Sequence, residues 1–435
     1  MKVPEPSAHM KITKSKTYLS RAEKIIPGLS QTFSKAPYSY VRGAYPVYLK
    51  CGKGCHVIDV DENEFIDYVL GLGPISLGYC YEPVDHAIMK QLKSGIIFSL
   101  PHYLEVEFSE KLQKIIPASE MVRFAKTGSD AVTACVRAAR AYTGKDHILY
   151  TGHGGVWHDW FTAITSRNQG VPRFNNELIT LFKYNDIEDL KLKFQQHDGK
   201  VAAIVMEPMW LDYPSESYLH DVKELTHKNK ALLIFDEVLT GFRLANGGGQ
   251  ELFKIEADLA AFGKAIGNGM PLGAITGKEE YMKKFNEVFY STTYGGETLS
   301  LAAGIAVVNE YLNKDVISHT WKMGQLLKDE INKSAIEIGV NVQWNGTPVR
   351  GDIMFSEING ATSNRLKSIF LQECIKNGVM FGPGEALISY SHSKKDIKKT
   401  LDVCSKVLEK MCSAIRNNSI SNLLEGEEMK TVMTF

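Results

Sequence analysis

The chain has 435 residues, of which 44% are hydrophobic, and this predicts a globular protein with a substantial core in one large domain or two or three smaller ones. Its 50 lysines and arginines balance its 50 aspartates and glutamates, so the charge does not favour nucleic acid or an anionic membrane as a partner. No apolar run approaches the roughly 18 residues that a membrane-spanning helix needs, and we expect no membrane segment.

The N-terminus and the cysteines bear on where the protein works. Residues 1–9 differ from the sequence that follows, and we interpret them as an expression scar, with Met10 as the natural start. The N-terminus has no hydrophobic signal core. The seven cysteines are scattered and odd in number, which favours a reducing compartment, and we expect the cytoplasm. Cys51 and Cys55 form a C-x3-C pair without a second pair, so we expect no metal there.

The predicted elements change character along the chain. Residues 17–30 predict a helix and a turn, and residues 45–69 alternate like strands around the turn-forming DVDENE. From residue 82 to about 315, short apolar runs alternate with amphipathic helical stretches, which predicts a mainly parallel sheet with both faces covered. The predicted strands are HILYT (147–151), VAAIVMEP (201–208), ALLIFDEV (231–238), LAAFG (259–263) and LGAIT (272–276).

Beyond residue 315 the pattern predicts a smaller α+β domain. A long helix is expected at 316–335, short strands follow, and a last helix is expected at 396–415. We therefore divide the chain into an N-terminal segment at 10–81 that contributes to the small domain, a large α/β domain at 82–315 and a C-terminal small domain at 316–435. Ligands bind at the carboxyl ends of strands in mainly parallel sheets, so the site is expected at that edge of the large domain.

Charged side chains follow two of the predicted strands. Lys264 comes directly after LAAFG and before the glycine-rich IGNGMPLG. Asp236 and Glu237 end a buried apolar strand, where a carboxylate is costly unless it meets a cation or a donor. Taken alone, Lys264 could be an ordinary solvated lysine and Asp236 a metal-binding or capping acid. A nucleotide hydrolase would also need a G-x-x-x-x-G-K-(S/T) loop, which the chain lacks.

A third feature is the sequence TGSD at 127–130, which precedes an amphipathic helix. Ser129 is expected to be the N-cap of this helix. Gly128 lets backbone N–H groups approach an anion, and the helix N-terminus then favours a phosphate. Ordinary capping is the alternative interpretation of this motif when it is taken by itself.

The three features together are more specific than any one of them. They match what pyridoxal phosphate requires of a protein. Lys264 would form a Schiff base with the aldehyde, Asp236 would pair with the pyridine nitrogen, and the helix that starts near Gly128 would hold the phosphate. The glycines after Lys264 would leave room for cofactor and substrate.

The motifs, in their order along the chain, resemble those of the class III pyridoxal-phosphate aminotransferases, among them glutamate-1-semialdehyde aminomutase and the aminotransferases related to it. This resemblance implies a fold-type I enzyme with a mainly parallel sheet in a large, cofactor-binding domain and a smaller α+β domain. The likeness is carried by IPG (26–28), VIDVDENEFIDYVLGLGPISLGY (57–79), EMVRFAKTGSDA (120–131), MEP (206–208), FDEVLTGFR (235–243), GKAIGNGMPLGAITG (263–277) and STTYGGETLSLAAG (291–304).

The resemblance implies a role for each matching residue of the cofactor site. Lys264 is the Schiff-base lysine, and Asp236 pairs with the ring nitrogen. Val238 packs under the ring. Gly128 and Ser129 bind the phosphate.

Two further roles are implied by the same resemblance. Glu207 supports the cofactor pocket rather than reacting. Thr293 matches the family threonine that reaches the phosphate of the neighbouring subunit, which implies a homodimer with shared active sites.

The turn TGHGGVWHDW at 151–160 departs from the family pattern. The family has a tyrosine-histidine-glycine turn whose aromatic ring stacks on the cofactor, and this chain has an apparent extra residue. His153 is the first candidate for the stacking ring and Trp157 the second. The GGET at 295–298 replaces the family SGNP. This replacement is a minor indication that the substrate is carbohydrate-derived.

The implied activity is a transamination dependent on pyridoxal 5′-phosphate, from a donor expected to be glutamate to a small keto or aldehyde acceptor. The sequence names neither the acceptor nor the pathway. The alternative is a 2,1-aminomutase, which retains its first product, with the segment 165–178 as a lid; we favour the transaminase because the turn departs from the aminomutase pattern. A regulatory protein on this fold need not keep Lys264 and Asp236, and a Rossmann dehydrogenase would need an early G-x-G-x-x-G.

Substrate specificity is expected to come from loops and from the C-terminal domain. The stretch FGPGEALISYSHS at 381–393 offers Glu385 and His392 for this role. Each could equally be a polar group with its own partners inside the domain.

Overall fold

The computed structural model describes residues 10–152, 154–358 and 360–430. The segment 1–9 and His153 lie outside the described residues. Within these ranges, no helix combines the length and the apolar character that crossing a membrane requires.

The chain forms two compact units. The large unit contains Gly73–Ser76 and Glu82–Ile317. The small unit contains the described residues before Gly73, together with Leu77–Tyr81 and those from Ser318 onward. The domain bounds that we draw from the sequence, and the cofactor-binding role of 82–315, stay predictions.

The strands and helices are given in chain order. The strands are β1 Leu49–Lys53, β2 His56–Asp59, β3 Glu64–Asp67, β4 Met121–Ala125, β5 His147–Thr151, β6 Ile179–Leu181, β7 Val201–Met206, β8 Leu232–Glu237, β9 Leu259–Phe262, β10 Gly273–Gly277, β11 Val342–Gly346, β12 Arg350–Phe355, β13 Val379–Met380 and β14 Ala386–Leu387. The helices are α1 Thr13–Ile25, α2 Glu82–Leu92, α3 Tyr103–Ile115, α4 Gly128–Thr143, α5 Asp159–Thr162, α6 Ile187–Gln196, α7 Tyr218–Lys228, α8 Gly249–Phe253, α9 Glu279–Met282, α10 Thr298–Asn313, α11 Val316–Ile338, α12 Ser363–Lys376 and α13 Lys394–Arg416.

The large unit is built on a sheet with the strand order β4-β10-β9-β8-β7-β5-β6. The pairs from β9 through β8, β7 and β5 to β6 are parallel, and β10 is antiparallel to both β9 and β4. Every residue of β5, β7, β8, β9 and β10 is buried, as expected of a sheet covered on both faces. The mainly parallel sheet predicted from the alternating pattern is confirmed.

Helix α4 packs against this sheet through small side chains. Ala131, Val132 and Cys135 are fully buried in one apolar cluster with Ile234 of β8 and Ala261 of β9. Small side chains let the helix axis come close to the strands, and burying them stabilises the pair by about 25 cal/mol per Å² of apolar surface. Because β4 runs in the same direction as β9, α4 begins at the edge where β8 and β9 end.

The small unit contains two sheets. In one, β1, β2 and β3 are antiparallel and β13 adds to β3 in parallel; in the other, β11, β12 and β14 are antiparallel. Large side chains fill the core around them, and this confirms the smaller α+β domain. They include Phe65, Tyr68, Trp344, Phe370 and Phe381.

The turn between β2 and β3 is the predicted DVDENE. The Asp59 Oδ1 atom accepts the backbone N–H groups of Asp61 at 2.9 Å and Asn63 at 2.8 Å. Glu62 has a left-handed φ of 69°. An aspartate that bonds the backbone two and four residues ahead is a common way to close such a turn.

Candidate active site

Lys264 stands where the parallel strands of the large unit end. It follows β9 and opens a 3₁₀ turn at Lys264–Gly267, and its φ is 46°. A left-handed lysine costs roughly 1–2 kcal/mol and persists only where its surroundings hold it. Such strain is found at functional sites, but it does not single out Lys264, because Lys230 and Lys254 each have a φ of 53°.

Asp236 lies near the end of β8, the strand paired with β9, and only 6% of its surface is exposed. Its Oδ1 atom accepts the backbone N–H of Val238 at 3.0 Å. A Cβ atom added to Gly154 would lie 3.2 Å from its Oδ2 atom and 2.6 Å from the Tyr150 hydroxyl. Gly154 therefore has to be glycine for the chain to pass this carboxylate.

Tyr150 lies near two carboxylates at this edge of the sheet. Its hydroxyl accepts the N–H of Gly154 at 2.8 Å. Burial, and then the charges of Glu207 and Asp236, raise the pKa of Tyr150 far above its usual value, so the phenol stays neutral. Glu207, which follows β7, is 5% exposed. The sequence does not single out Tyr150 or Gly154, although Tyr150 directly precedes the turn TGHGGVWHDW and Gly154 lies inside it.

Gly128, Val238 and Gly263 form a tight cradle beside Lys264. A Cβ atom on Gly128 would lie 2.6 Å from Val238 Cγ1, and one on Gly263 would lie 3.2 Å from the same atom and 3.6 Å from the Gly128 Cα. The start of α4, the residue after β8 and the residue before Lys264 are thus brought into contact. Gly128 lies more than a hundred positions before Val238 and Gly263 in the sequence, and the fold assembles the three residues.

The N-cap of α4 is Thr127, and the prediction of Ser129 as the N-cap is wrong. Thr127 Oγ1 accepts the N–H of Asp130 at 3.1 Å, and Asp130 Oδ2 accepts the N–H of Thr127 at 3.0 Å. This reciprocal capping box places Ser129 inside the helix. Within the described part of the chain, no acceptor is bonded to the N–H groups of Gly128 and Ser129, which suits them to an anion.

The Ser129 side chain ties α4 to the turn after β5. Its Oγ atom donates to the carbonyl oxygen of Gly155 at 3.3 Å and accepts the N–H of Trp157 at 3.4 Å. The Trp157 side chain is 69% exposed, with its ring 4.4 Å from the ring of His158. His153, the first candidate for the stacking ring, lies outside the described residues.

Glu237, next to Asp236, is bonded to backbone groups in the protein interior. It is fully buried, and its carboxylate accepts the N–H groups of Gly249 and Gln250 at 2.9 Å and the hydroxyl of Thr240. Burial raises its pKa to about 7 against the effect of these donors. Its carboxylate anchors the start of α8, whereas that of Asp236 faces Gly154.

Thr293 lies in an exposed turn.

In the small unit, Glu385 Oε1 accepts from Arg350 Nη2 at 2.7 Å. His392 is fully buried, its Nδ1 atom accepts the N–H of Ser389 at 3.1 Å, and burial lowers its pKa to about 4. Glu385 and His392 therefore each have a partner inside the unit, as the second interpretation of their roles expects.

Comparisons with known proteins agree with this geometry. The profile of the aminotransferase class-III family matches residues 39–408. The 3-aminobutyryl-CoA aminotransferase of Cloacimonas acidaminovorans is 34% identical over 409 residues, 92% of this chain and 97% of the relative. The glutamate-1-semialdehyde 2,1-aminomutase of Acetivibrio thermocellus is 34% identical over 422 residues, 91% of this chain and 98% of the relative.

A solved structure described as a transaminase with PLP bound has the same fold and is 25% identical. It superposes with a TM-score of 0.87, and the matched region covers 94% of this chain and 100% of the chain in that structure. The cofactor is therefore pyridoxal 5′-phosphate, and the residues present fit it. Gly128 and Gly263 let the start of α4 and the residue before Lys264 pack closely on Val238, the N–H groups of Gly128 and Ser129 have no bonded acceptor among the described residues, and a lysine and a buried carboxylate lie at the ends of neighbouring strands. The chain belongs to the class-III aminotransferase family.

Proposed function

We propose that this aminotransferase takes its amino group from glutamate and passes it to a small keto or aldehyde acceptor. One observation carries the proposal. Lys264 and Asp236 end two paired parallel strands, and the anion-binding start of α4 touches both strand ends through the Gly128–Val238–Gly263 cradle.

When bound, the cofactor supplies an electron-withdrawing ring that stabilises negative charge on the substrate carbon that loses its proton. The Asp236 carboxylate would keep the ring nitrogen protonated, and the N–H groups of Gly128 and Ser129 would hold the phosphate. Val238 would pack against the ring. The Lys264 Nζ atom holds the cofactor at rest, and it then takes the proton from the substrate carbon and returns it. This transfer needs the uncharged amine of Lys264.

We favour a transaminase over a 2,1-aminomutase. The two relatives carry one name of each kind at the same identity of 34%, so identity does not choose between them. An aminomutase must retain its first product until the nitrogen returns to the neighbouring carbon. The turn at 151–160 departs from the aminomutase pattern, which supports release of that product.

We propose that the enzyme is a homodimer and that Thr293 reaches the phosphate of the partner subunit. Large apolar side chains are exposed in one segment, with Leu100 79%, Tyr103 62% and Val106 61% exposed, and Tyr294 beside Thr293 is 61% exposed. Exposed apolar surface of this kind marks a protein interface.

The seven cysteines are free, which suits the reducing conditions of the cytoplasm, where we place the enzyme.

The test is an acceptor screen with glutamate as the donor, read by the 2-oxoglutarate formed. We expect one or more small keto or aldehyde compounds to give 2-oxoglutarate at a rate that Lys264→Ala abolishes. Conversion of a single amino aldehyde into its isomer without any donor, together with no 2-oxoglutarate from any acceptor, would instead establish the aminomutase.

A further inference from the structure

A cavity of about 420 Å³ lies beside α4, outside the Gly128–Val238–Gly263 cradle. We call it the arginine cavity. Its lining includes Arg137, Arg140, Trp157, His158 and Asn175. Apart from Trp157, the second candidate for the ring that stacks on the cofactor, none of these side chains has a role assigned above.

The two arginines are held in place but keep most of their donors. The Nη1 atom of Arg137 donates to the Phe289 carbonyl at 2.7 Å, and the Nε atom of Arg140 donates to the Asp146 carbonyl at 2.8 Å. Neither guanidinium has a carboxylate within salt-bridge distance among the described residues. A guanidinium has five N–H donors in a planar fork that matches phosphoryl oxygens, so two adjacent forks suit a diphosphate.

The two arginines place like charges next to each other on α4. Arg137 and Arg140 are three positions apart on α4, and like charges at this spacing repel each other. Burial, and also the charge of Arg137, hold the pKa of Arg140 below its usual value, although Asp146 opposes this. Asp159 is the one acidic side chain in the lining, while outside the lining Asp146 acts on Arg140 and Asp130 lies 3.6 Å from the Nε2 atom of His158. A bound diphosphate would relieve the repulsion.

Trp157 offers a flat surface next to these charges. Its side chain is 69% exposed, although a free indole face in water is unfavourable. Aromatic faces stack on nucleobases, and such stacking is worth about 1–3 kcal/mol per base. Two donor-rich arginines beside an exposed tryptophan therefore match a nucleotide better than an inorganic anion.

The cavity is aligned with the cofactor site along α4. Arg137 and Arg140 follow Gly128 by 9 and 12 residues (137 − 128 and 140 − 128), which is about 14 and 18 Å along a helix axis. The N–H of Trp157 bonds to Ser129, so the cavity adjoins the start of the helix. A ligand that occupied both places would need an extended arm of this length.

We propose that the arginine cavity binds the nucleoside diphosphate end of a carrier-linked acceptor, whose reacting carbonyl reaches the cofactor site on an extended arm. The phosphoryl groups lie between Arg137 and Arg140, and the base stacks on Trp157. This deepens the proposed function and rests on it for the reacting end, whereas binding of the nucleotide is a separate property.

Titration calorimetry on the holoenzyme tests the proposal without turnover. ADP and UDP serve as probes, with adenosine and inorganic pyrophosphate as the matched fragments. We expect a nucleoside diphosphate to bind at least ten times more tightly than either fragment. Preference for ADP would indicate an adenine-based acyl carrier, and preference for UDP would indicate a glycosyl carrier.

The variants distinguish the two contacts. Arg137→Ala and Arg140→Ala should each weaken nucleotide binding at least tenfold, and Arg137→Lys, which keeps the charge but loses the fork, should also weaken it. Trp157→Ala should weaken ADP or UDP but leave pyrophosphate unchanged. Lys228→Ala, which removes an exposed cation from α7 of the same unit, should change nothing.

Absence of saturable binding by either nucleotide, or unchanged binding in Arg137→Ala, Arg137→Lys and Arg140→Ala, would overturn the proposal. Pyrophosphate binding as tightly as ADP and UDP would do the same. These outcomes leave the 2-oxoglutarate assay untouched, so failure of this inference and failure of the glutamate-dependent transamination are distinguishable.

Discussion

Asp236 and Glu237 are adjacent carboxylates whose environments give them different roles. Successive side chains of a strand point to opposite faces of the sheet. Glu237 faces the start of α8 and accepts the N–H groups of Gly249 and Gln250. Asp236 faces Gly154. We therefore expect replacement of one to affect the reaction and replacement of the other to affect stability.

Asp236→Ala should lower the turnover rate by at least about a hundredfold, or roughly 2.7 kcal/mol of barrier, with the fold kept. The physical reason is that the ring nitrogen loses the carboxylate that keeps it protonated. Single-turnover kinetics with glutamate would measure the loss. A rate near that of the wild type would mean that Asp236 is structural.

Glu237→Gln is the matched control for this prediction. Both of its carboxylate oxygens accept backbone N–H groups, and the amide would replace one acceptor by a donor. An unsatisfied buried N–H costs about 1–3 kcal/mol, so the melting temperature should fall. The rate of the folded enzyme should change far less than in Asp236→Ala.

At the scale of residues, the sequence locates Lys264 and Asp236 because each follows a strongly apolar run that is recognisable as a buried strand. The left-handed φ of Lys264 is not predictable in this way, because tertiary contacts hold it. The contact of Tyr150 and Gly154 with Asp236 is also missed, because it depends on the path of an irregular turn that periodicity does not describe.

At the scale of elements, α4 shows what a local rule can and cannot resolve. Thr127 and Ser129 are both good N-cap residues, and only Asp130, three residues after Thr127, completes a capping box. That signal was present in the sequence and would have identified Thr127. The close approach of Gly128 to Val238 cannot be predicted from the sequence, because it depends on the distance between α4 and β8.

Gly128→Ala should weaken cofactor binding at least tenfold. The added Cβ atom would lie 2.6 Å from Val238 Cγ1, so the helix start or the valine must move. Equilibrium binding of the cofactor to the apo-enzyme would measure this. Gly155→Ala is the control, because an added Cβ there meets nothing within 4 Å. Equal effects of the two substitutions would contradict the role of the cradle.

His56 connects two elements of the small unit through its ring. Its Nδ1 atom lies 2.8 Å from Glu64 Oε1 on β3, and its Nε2 atom lies 3.0 Å from Asp396 Oδ1 on α13. The hydrogen bond to Asp396 raises the pKa of His56, although burial opposes it. Against burial, the bonds from His56 and Ser393 lower the pKa of Asp396.

The stability that His56 contributes should depend on pH. A histidine whose pKa is raised by folding contributes its full stabilisation at pH values below its pKa in the unfolded chain, about 6.5. This contribution is lost as the pH rises through its pKa in the folded protein. The melting temperature of the wild type should exceed that of His56→Gln most at about pH 5–6, with the gap closing towards higher pH. A gap that widens with rising pH would contradict this assignment.

At the scale of the molecule, the apolar runs predict the fold class, because buried parallel strands read as continuous hydrophobic segments. They do not predict the order β4-β10-β9-β8-β7-β5-β6 or the antiparallel β10, which depend on contacts between distant segments. Strands β4 and β6 escaped prediction for local reasons. Arg123 interrupts the apolar run of β4, and β6 has only three residues.

The shared site can be tested with one chain that carries both Lys264→Ala and Thr293→Trp, paired with a wild-type chain in a tagged mixed dimer. If Thr293 acts on the partner subunit, each mixed site carries one lesion and the dimer should be nearly inactive. If Thr293 acts within its own chain, one site stays intact and about half of the wild-type activity remains. A mixed dimer that carries only Lys264→Ala on one chain is the control and should keep about half.

The central claim is that Lys264 holds the cofactor at the end of β9. Purified enzyme should absorb near the boundary of the visible and ultraviolet ranges, and borohydride should then fix the cofactor covalently to the protein. Peptide mapping by mass spectrometry identifies the lysine that carries it. The account predicts a single modified peptide with the label on Lys264, absent from Lys264→Ala; a label on another lysine of the wild-type enzyme would contradict it.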